Sequence, residues 1–200
     1  MKEHPIIFST PMVKAILDGK KTMTRRVIKL NYAGRVQYKH HQWHIEDSNA
    51  ISGCPYGQPG DTLWVRESYV PDPPNDDTWD YVGYANSYPL NVRAIPERYR
   101  NPRYCLYKAD YGNQFKSLPS IHMPRWAFRT ALQIKSIKVE RVQDISEDDA
   151  IAEGTETDPK QWDACYVDGF IRLWDFINSK RGYGWDVNPW VWVIEFERIK

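Results

Sequence analysis

Residues 10–28 read Thr-Pro-Met-Val-Lys-Ala-Ile-Leu-Asp-Gly-Lys-Lys-Thr-Met-Thr-Arg-Arg-Val-Ile. Thr10 offers a side-chain oxygen to the unpaired N–H groups of a helix start, and Pro11 stands where a missing N–H costs nothing. Gly19 supplies the left-handed stop, so the pattern predicts a helix over residues 11–18. Val13, Ile16 and Leu17 are three and four apart on one face, which a helix this short must bury to persist. Beyond the glycine, residues 20–28 carry two threonines, Val27 and Ile28 and read as an extended strand, the most cationic stretch of the chain.

Residues 31–60 are irregular and polar, and Pro59-Gly60-Asp61 marks a tight turn before a strand over 62–69. In that strand Leu63 and Val65 point one way and Thr62, Trp64 and Arg66 the other. Residues 71–103 are rich in proline and tyrosine and read as an inserted excursion packed on the surface, with the length of a lid. A further strand is expected over 126–142, with its alternation broken at Lys135-Ser136 by a bulge or bend. Ser146 and Asp149 form a capping-box pattern for a helix over about 147–153, closed by Gly154. Asp158-Pro159 opens a second helical stretch with Trp162, Tyr166, Phe170, Leu173, Trp174 and Ile177 on one stripe, split at Gly169 and ended by Gly182 and Gly184. Residues 190–199 are strongly β-forming. The order strand, helix, strand, insertion, strands, helix, helix, strand lacks the regular alternation of a doubly wound fold. It predicts an α+β chain: a small β-barrel or highly curved sheet with helices at the rim, forming one domain over 1–200 with insertions at about 31–58 and 70–125.

Composition narrows the classes. Hydrophobic residues are 42% and charged residues 26% of 200, which is globular rather than disordered. No apolar run approaches the roughly 20 residues that cross a bilayer, so no membrane partner is expected. Ile6, Ile7 and Phe8 are too short a run for a signal-peptide core, and the expected location is cytoplasmic. Cys54, Cys105 and Cys165 are odd in number and widely spaced, as free thiols are. A zinc site built on Cys54 with His40, His41 and His44 matches no common ligand spacing, so no metal and no cofactor is expected.

The net charge of +1 does not by itself point to nucleic acid. Its distribution is uneven, basic over 14–29 and acidic over 140–168. Residues 19–26 put two hydroxyls and four cations directly after a helix C-terminus. That is a solvated basic edge, an anion site, or a threonine nucleophile beside a lysine. Nine tryptophans and thirteen tyrosines supply a core and, where they flank arginines, stacking platforms for bases.

Four stretches carry a resemblance: residues 16–26, the run Pro-Gly-Asp-Thr-Leu-Trp-Val-Arg-Glu at 59–67, the run Asp-Ile-Ser-Glu-Asp-Asp-Ala-Ile-Ala-Glu-Gly at 144–154, and Val-Trp-Val-Ile-Glu-Phe at 191–196. Together they resemble an ASCH domain, a relative of PUA domains, of the kind encoded by phages and prophages. The resemblance implies a PUA-like β-barrel and RNA-related chemistry. Some small members of that family are N4-acetylcytidine amidohydrolases with a lysine, a threonine three positions later and a distant glutamate. Matched residue by residue, the resemblance implies Lys21 as general base, Thr24 as nucleophile and Glu153 as proton donor. The ligand would be a nucleoside or RNA, with Lys20, Arg25, Arg26, Trp64, Arg66, His122, Arg125 and Trp126 as candidate contacts. A noncatalytic RNA-binding module and a ribonuclease are the other functions it allows.

Two physical tests bear on this triad. Residues three apart lie on opposite faces of a regular strand, so Lys21 and Thr24 require a turn or bulge between them. A lysine that works as a base near neutral pH must also fall from about 10.4 to roughly 7–8. Burial, Lys20, Arg25 and Arg26 push in that direction, and an ionised Glu153 opposes them. Glu153 is itself oddly placed, a carboxylate in the last turn of a predicted helix, against the negative end of its dipole.

Overall fold

The computed structural model describes residues 1–77, 79–86, 90–157 and 165–200. In chain order the elements are β1 (Glu3–Ile7), α1 (Thr10–Leu17), β2 (Met23–Val27), β3 (Arg35–Tyr38), β4 (His41–His44), β5 (Thr62–Arg66), β6 (Tyr69–Pro71), α2 (Tyr81–Asn86), β7 (Cys105–Tyr107), α3 (Lys108–Tyr111), β8 (Ala131–Arg141), α4 (Glu147–Ala152), α5 (Tyr166–Asn178) and β9 (Trp190–Arg198). Five strands make one sheet in the order β1-β5-β8-β9-β2, and β3-β4 and β6-β7 are separate pairs. The chain is therefore α+β, as its pattern predicts. β1 and β2 stand at the two ends of the sheet, and among the described residues no pairing between them closes it into the expected barrel.

α1 forms over Thr10–Leu17, close to the expected 11–18, whereas the strand expected over 20–28 shortens to Met23–Val27. Val13 and Ile16 of α1 are buried, and Gly19 adopts the left-handed conformation at φ +72. β2 runs antiparallel to β9, with Thr24 opposite Ile194 and Arg25 opposite Val193. β8 pairs with the other side of β9, and its register slips between Ile134 and Ser136, so Lys135 is the extra residue the broken alternation predicts. Val191, Trp192, Val193 and Ile194 are all buried, as in a strand covered on both faces.

Several expected boundaries move. The segment expected to be irregular after residue 31 contains the β3-β4 hairpin and a 3₁₀ turn at Ser48–Gly53. The strand expected over 62–69 stops at Arg66, and Tyr69–Pro71 turns away to pair with β7. The strand expected from 126 begins at Ala131, because Arg125–Ala127, entered from Pro124, form a 3₁₀ turn. Gly169 does not split α5. A Cβ there would collide with the Glu156 carbonyl oxygen, so the glycine admits a backbone against the helix. Phe170 and Trp174 of the α5 stripe are buried, whereas Tyr166 and Ile177 are exposed. Asp158, Pro159 and Trp162 of that expected stretch lie outside the described residues.

Contacts divide the chain into two compact units. The first, Met1–His4 with Ala15–Leu63 and Leu132–Lys200, has a core of Met23, Val142, Ile145, Ala150, Phe170, Trp174, Val191 and Val193. Burial of each large side chain contributes about 1.5–3 kcal/mol. The second unit, Pro5–Lys14 with Trp64–Ala131, contains the described residues of the expected 70–125 insertion and carries apolar clusters of its own. Tyr69, Cys105, Tyr107 and Leu118 centre one cluster, and Tyr84, Ile95 and Tyr99 the other. Among the described residues no helix is long and apolar enough to cross a membrane.

Candidate active site

The first unit gathers Lys21, Arg25 and Glu153 by backbone features that can be followed residue by residue. After α1, the N–H groups of Lys20 and Lys21 both turn back to the Ala15 carbonyl, at 2.8 and 3.0 Å. Thr22 N–H then donates to the Ala152 carbonyl at 2.8 Å, which ties this turn to the end of α4. β2 begins only at Met23, so Lys21 lies ahead of the strand. The alternation that separates residues three apart does not apply between Lys21 and Thr24.

α4 starts at Ser146, whose hydroxyl accepts from the Asp149 N–H at 3.1 Å. The reciprocal half of the expected capping box is replaced, because the Asp149 carboxylate turns to Arg25. The helix ends on Glu153, and Gly154 follows at φ +71. A Cβ on Gly154 would stand 2.9 Å from Lys21 Cβ and 3.0 Å from Ala15 Cβ, so only glycine lets this helix end pass so close to Lys21.

Lys21 Nζ donates to Glu153 Oε2 at 2.6 Å and to the Glu153 carbonyl oxygen at 2.8 Å. The ammonium therefore meets both the carboxylate and a last-turn carbonyl, which offsets the awkward position of a carboxylate at a helix C-terminus. The Lys21 side chain is fully enclosed and that of Glu153 is 5% exposed. Arg25 Nη1 stands 3.6 Å from Glu153 Oε1, while its Nη2 reaches Asp149 Oδ2 at 2.5 Å and Glu140 Oε2 at 3.3 Å. Phe170 lies under the guanidinium at 5.9 Å.

Burial pushes the Lys21 amine below its ordinary 10.5, Glu153 pulls it up by charge and hydrogen bond, and Arg26 and Arg25 push it down further. Burial also lowers Arg26, against Tyr56 and Glu153, with Arg181 adding to the fall. Thr24 is buried on β2, next to Arg25 and facing the opposite side of the strand. The tight hydrogen bond of the site runs from Lys21 to Glu153; among the described residues none joins Lys21 to the Thr24 hydroxyl.

The expected contact residues divide. Lys20 is exposed and Arg26 half-buried, but Arg25 is buried against three carboxylates, so its charge is already engaged. Trp64, Arg66, His122, Arg125 and Trp126 belong to the second unit. There the exposed Arg125 stacks 3.7 Å over Phe128 and 5.8 Å from Trp64, and Arg66 lies 5.6 Å over the same Trp64 ring while donating to the Ile121 carbonyl. His122 is exposed, and Trp126 packs half-buried against the apolar clusters instead of standing free as a platform. Sequence reasoning missed Asp149 and Glu140 as partners of Arg25. The three consecutive acids at 147–149 were the available signal, but helix capping accounted for them locally.

All three cysteines are free, and burial pushes the Cys54 thiol up to about 12. Among the described residues no group of three or more His, Cys, Asp or Glu has the arrangement to hold a metal ion.

No protein-family model and no curated protein sequence matches this chain. Among solved structures it is similar to an ASCH domain from Lactobacillus crispatus JV V101, at 11% identity and a TM-score of 0.43, over 98% of this chain and 79% of that one.

Proposed function

We propose that this chain is an amide hydrolase acting on an acylated cytidine-like nucleoside, with Lys21, Thr24 and Glu153 as its reacting groups. The observation that carries the reading is the enclosed Lys21–Glu153 pair, joined at 2.6 Å, with the lysine held below its ordinary proton affinity. One proton moved along that hydrogen bond converts the ion pair into a neutral amine beside a neutral carboxylic acid. Amide cleavage needs both of these, a base for the nucleophile and an acid for the leaving amine. The resemblance of residues 16–26 and 144–154 to the acetylcytidine hydrolases supplies the substrate class.

In the first step the Thr24 oxygen forms a bond to the substrate carbonyl carbon, and its proton goes to Lys21 Nζ. The C–N bond then breaks as Glu153 protonates the leaving exocyclic nitrogen, which leaves an acyl ester on Thr24. Water attacks that ester and releases the carboxylic acid, and the threonine hydroxyl is regenerated. Thr24 must approach Lys21 for this, and hydrogen bonds of this kind tighten when substrate binds.

The test is conversion of N4-acetylcytidine to cytidine and acetate by wild type and by Thr24→Ala, Lys21→Arg and Glu153→Gln, with circular dichroism to confirm the fold of each. Turnover by wild type and its loss in a folded Thr24→Ala support the reading; full activity in Thr24→Ala overturns the assigned nucleophile.

A second reading, RNA binding by the other unit, is favoured by the stack of Arg125 on Phe128 beside Trp64. It predicts salt-dependent binding of single-stranded RNA that Arg125→Ala weakens.

A further inference from the structure

Arg25 is a buried cation that the reaction above does not use, and its surroundings are unusual. Its Nη2 is held by Asp149 at 2.5 Å and Glu140 at 3.3 Å, and its Nη1 donates to Met23 Sδ at 3.4 Å. That same Nη1 stands 3.6 Å from Glu153 Oε1, an oxygen buried without a hydrogen bond. The other oxygen of the same carboxylate belongs to Lys21. We propose that Arg25 is a positioning residue for the Lys21–Glu153 pair: clamped by Asp149 and Glu140, its guanidinium fixes one oxygen of Glu153 while Lys21 takes the other.

The guanidinium is shared unequally, closer to Asp149 than to Glu153. The outer clamp therefore governs how much positive charge reaches Glu153, and through it how tightly Lys21 keeps its proton. The charged groups around the pair are Arg25 and Arg26 from β2, Asp149 from α4 and Glu140 from β8. Tyr56 and Arg181 act on Arg26. Removing Arg25 takes a cation away from Lys21 and raises its proton affinity. Removing the charge of Asp149 takes an anion away and releases the guanidinium toward Glu153, which lowers it. A merely structural Arg25 gives no such pair of opposite shifts.

The proposal rests on the hydrolase reading only for its kinetic arm. The primary measurement is the titration of Lys21 in the full chain, followed by NMR on ¹³C-labelled lysine and assigned with Lys21→Arg. Arg25→Gln is expected to raise the proton affinity of Lys21 about tenfold, Arg25→Lys to restore it, and Asp149→Asn to lower it. An unchanged Lys21 titration in folded Arg25→Gln overturns the proposal. Should Arg25→Gln not fold, Asp149→Asn decides alone, a fall in affinity supporting the proposal and no change or a rise overturning it. If wild type hydrolyses N4-acetylcytidine, the basic limb of its pH–rate profile moves with the Lys21 titration. If it does not, the hydrolase reading fails while the titration still decides the role of Arg25.

Discussion

Lys21 Nζ is held by both the carboxylate and the backbone carbonyl of Glu153, at 2.6 and 2.8 Å, across 132 positions of sequence. Neither partner has water to fall back on. Breaking such a pair from one side leaves an uncompensated buried charge, which costs about 3–5 kcal/mol. Lys21→Met should therefore lose about that much stability at pH 7 in urea denaturation. Because the folded state lowers the proton affinity of Lys21, the unfolded chain binds more protons in the window just below 10.5. The Lys21 contribution to wild-type stability then rises with pH through that window. The deficit of Lys21→Met should widen from pH 7 toward pH 10; a deficit that narrows contradicts the lowered lysine.

Gly154 combines φ +71 with a Cβ position 2.9 Å from Lys21 Cβ, so two independent penalties meet there. Gly154→Ala should destabilise the chain by about 1–3 kcal/mol. The accompanying shift of α4 should also loosen Lys21, visible as a change in its titration. Gly19→Ala, where nothing lies within 4 Å of the added carbon, should show only the backbone penalty.

Glu147 caps a helix other than its own. Its carboxylate accepts from the Tyr166 and Val167 N–H groups at 2.9 and 3.3 Å, at the start of α5, where Cys165 provides no side-chain cap. A hydrogen bond from Cys165 and those two backbone donors hold its pKa below the ordinary 4.5. The stability it contributes is thus present above 4.5 and is lost as pH falls through the lowered value. Glu147→Gln should lower the melting temperature at neutral pH, and the difference from wild type should shrink on acidification.

In the second unit Arg129 grips two carboxylates, Glu67 at 2.9 Å and Asp110 at 2.6 Å, with the Tyr107 ring 4.0 Å beneath it. Burial raises the Glu67 pKa above its ordinary 4.5, and Arg129 opposes the rise. Any stability from a raised carboxyl is lost as pH climbs through the raised value. Arg129→Met should cost about 3–5 kcal/mol at pH 7. Part of that loss should return on acidification as Glu67 becomes neutral, and Glu67→Gln in the Arg129→Met background should remove the pH dependence.

Local features were legible in advance because they depend on neighbours in the chain. The α1 start at Thr10, the Gly19 stop, the Lys135 bulge and the Ser146 cap each follow from a few adjacent residues. The misread boundaries are those where a distant partner outweighs the local pattern. β5 gives way at Glu67, whose carboxylate is held by Arg129, and α5 keeps Gly169 because the Glu156 carbonyl presses on it. Arg25 is the clearest case: its basic neighbours suggest an exposed phosphate contact, and Asp149, Glu140 and Glu153 convert it into a buried clamp.

Sequence alone determined the α+β class, the helix-to-strand turn around Gly19 and the residue types of the candidate site, because periodicity and capping act over a few residues. Tertiary structure alone decided which charges meet. Coulomb attraction and desolvation depend on distance and burial in space, and the 132 positions between Lys21 and Glu153 carry no local sign of their 2.6 Å contact.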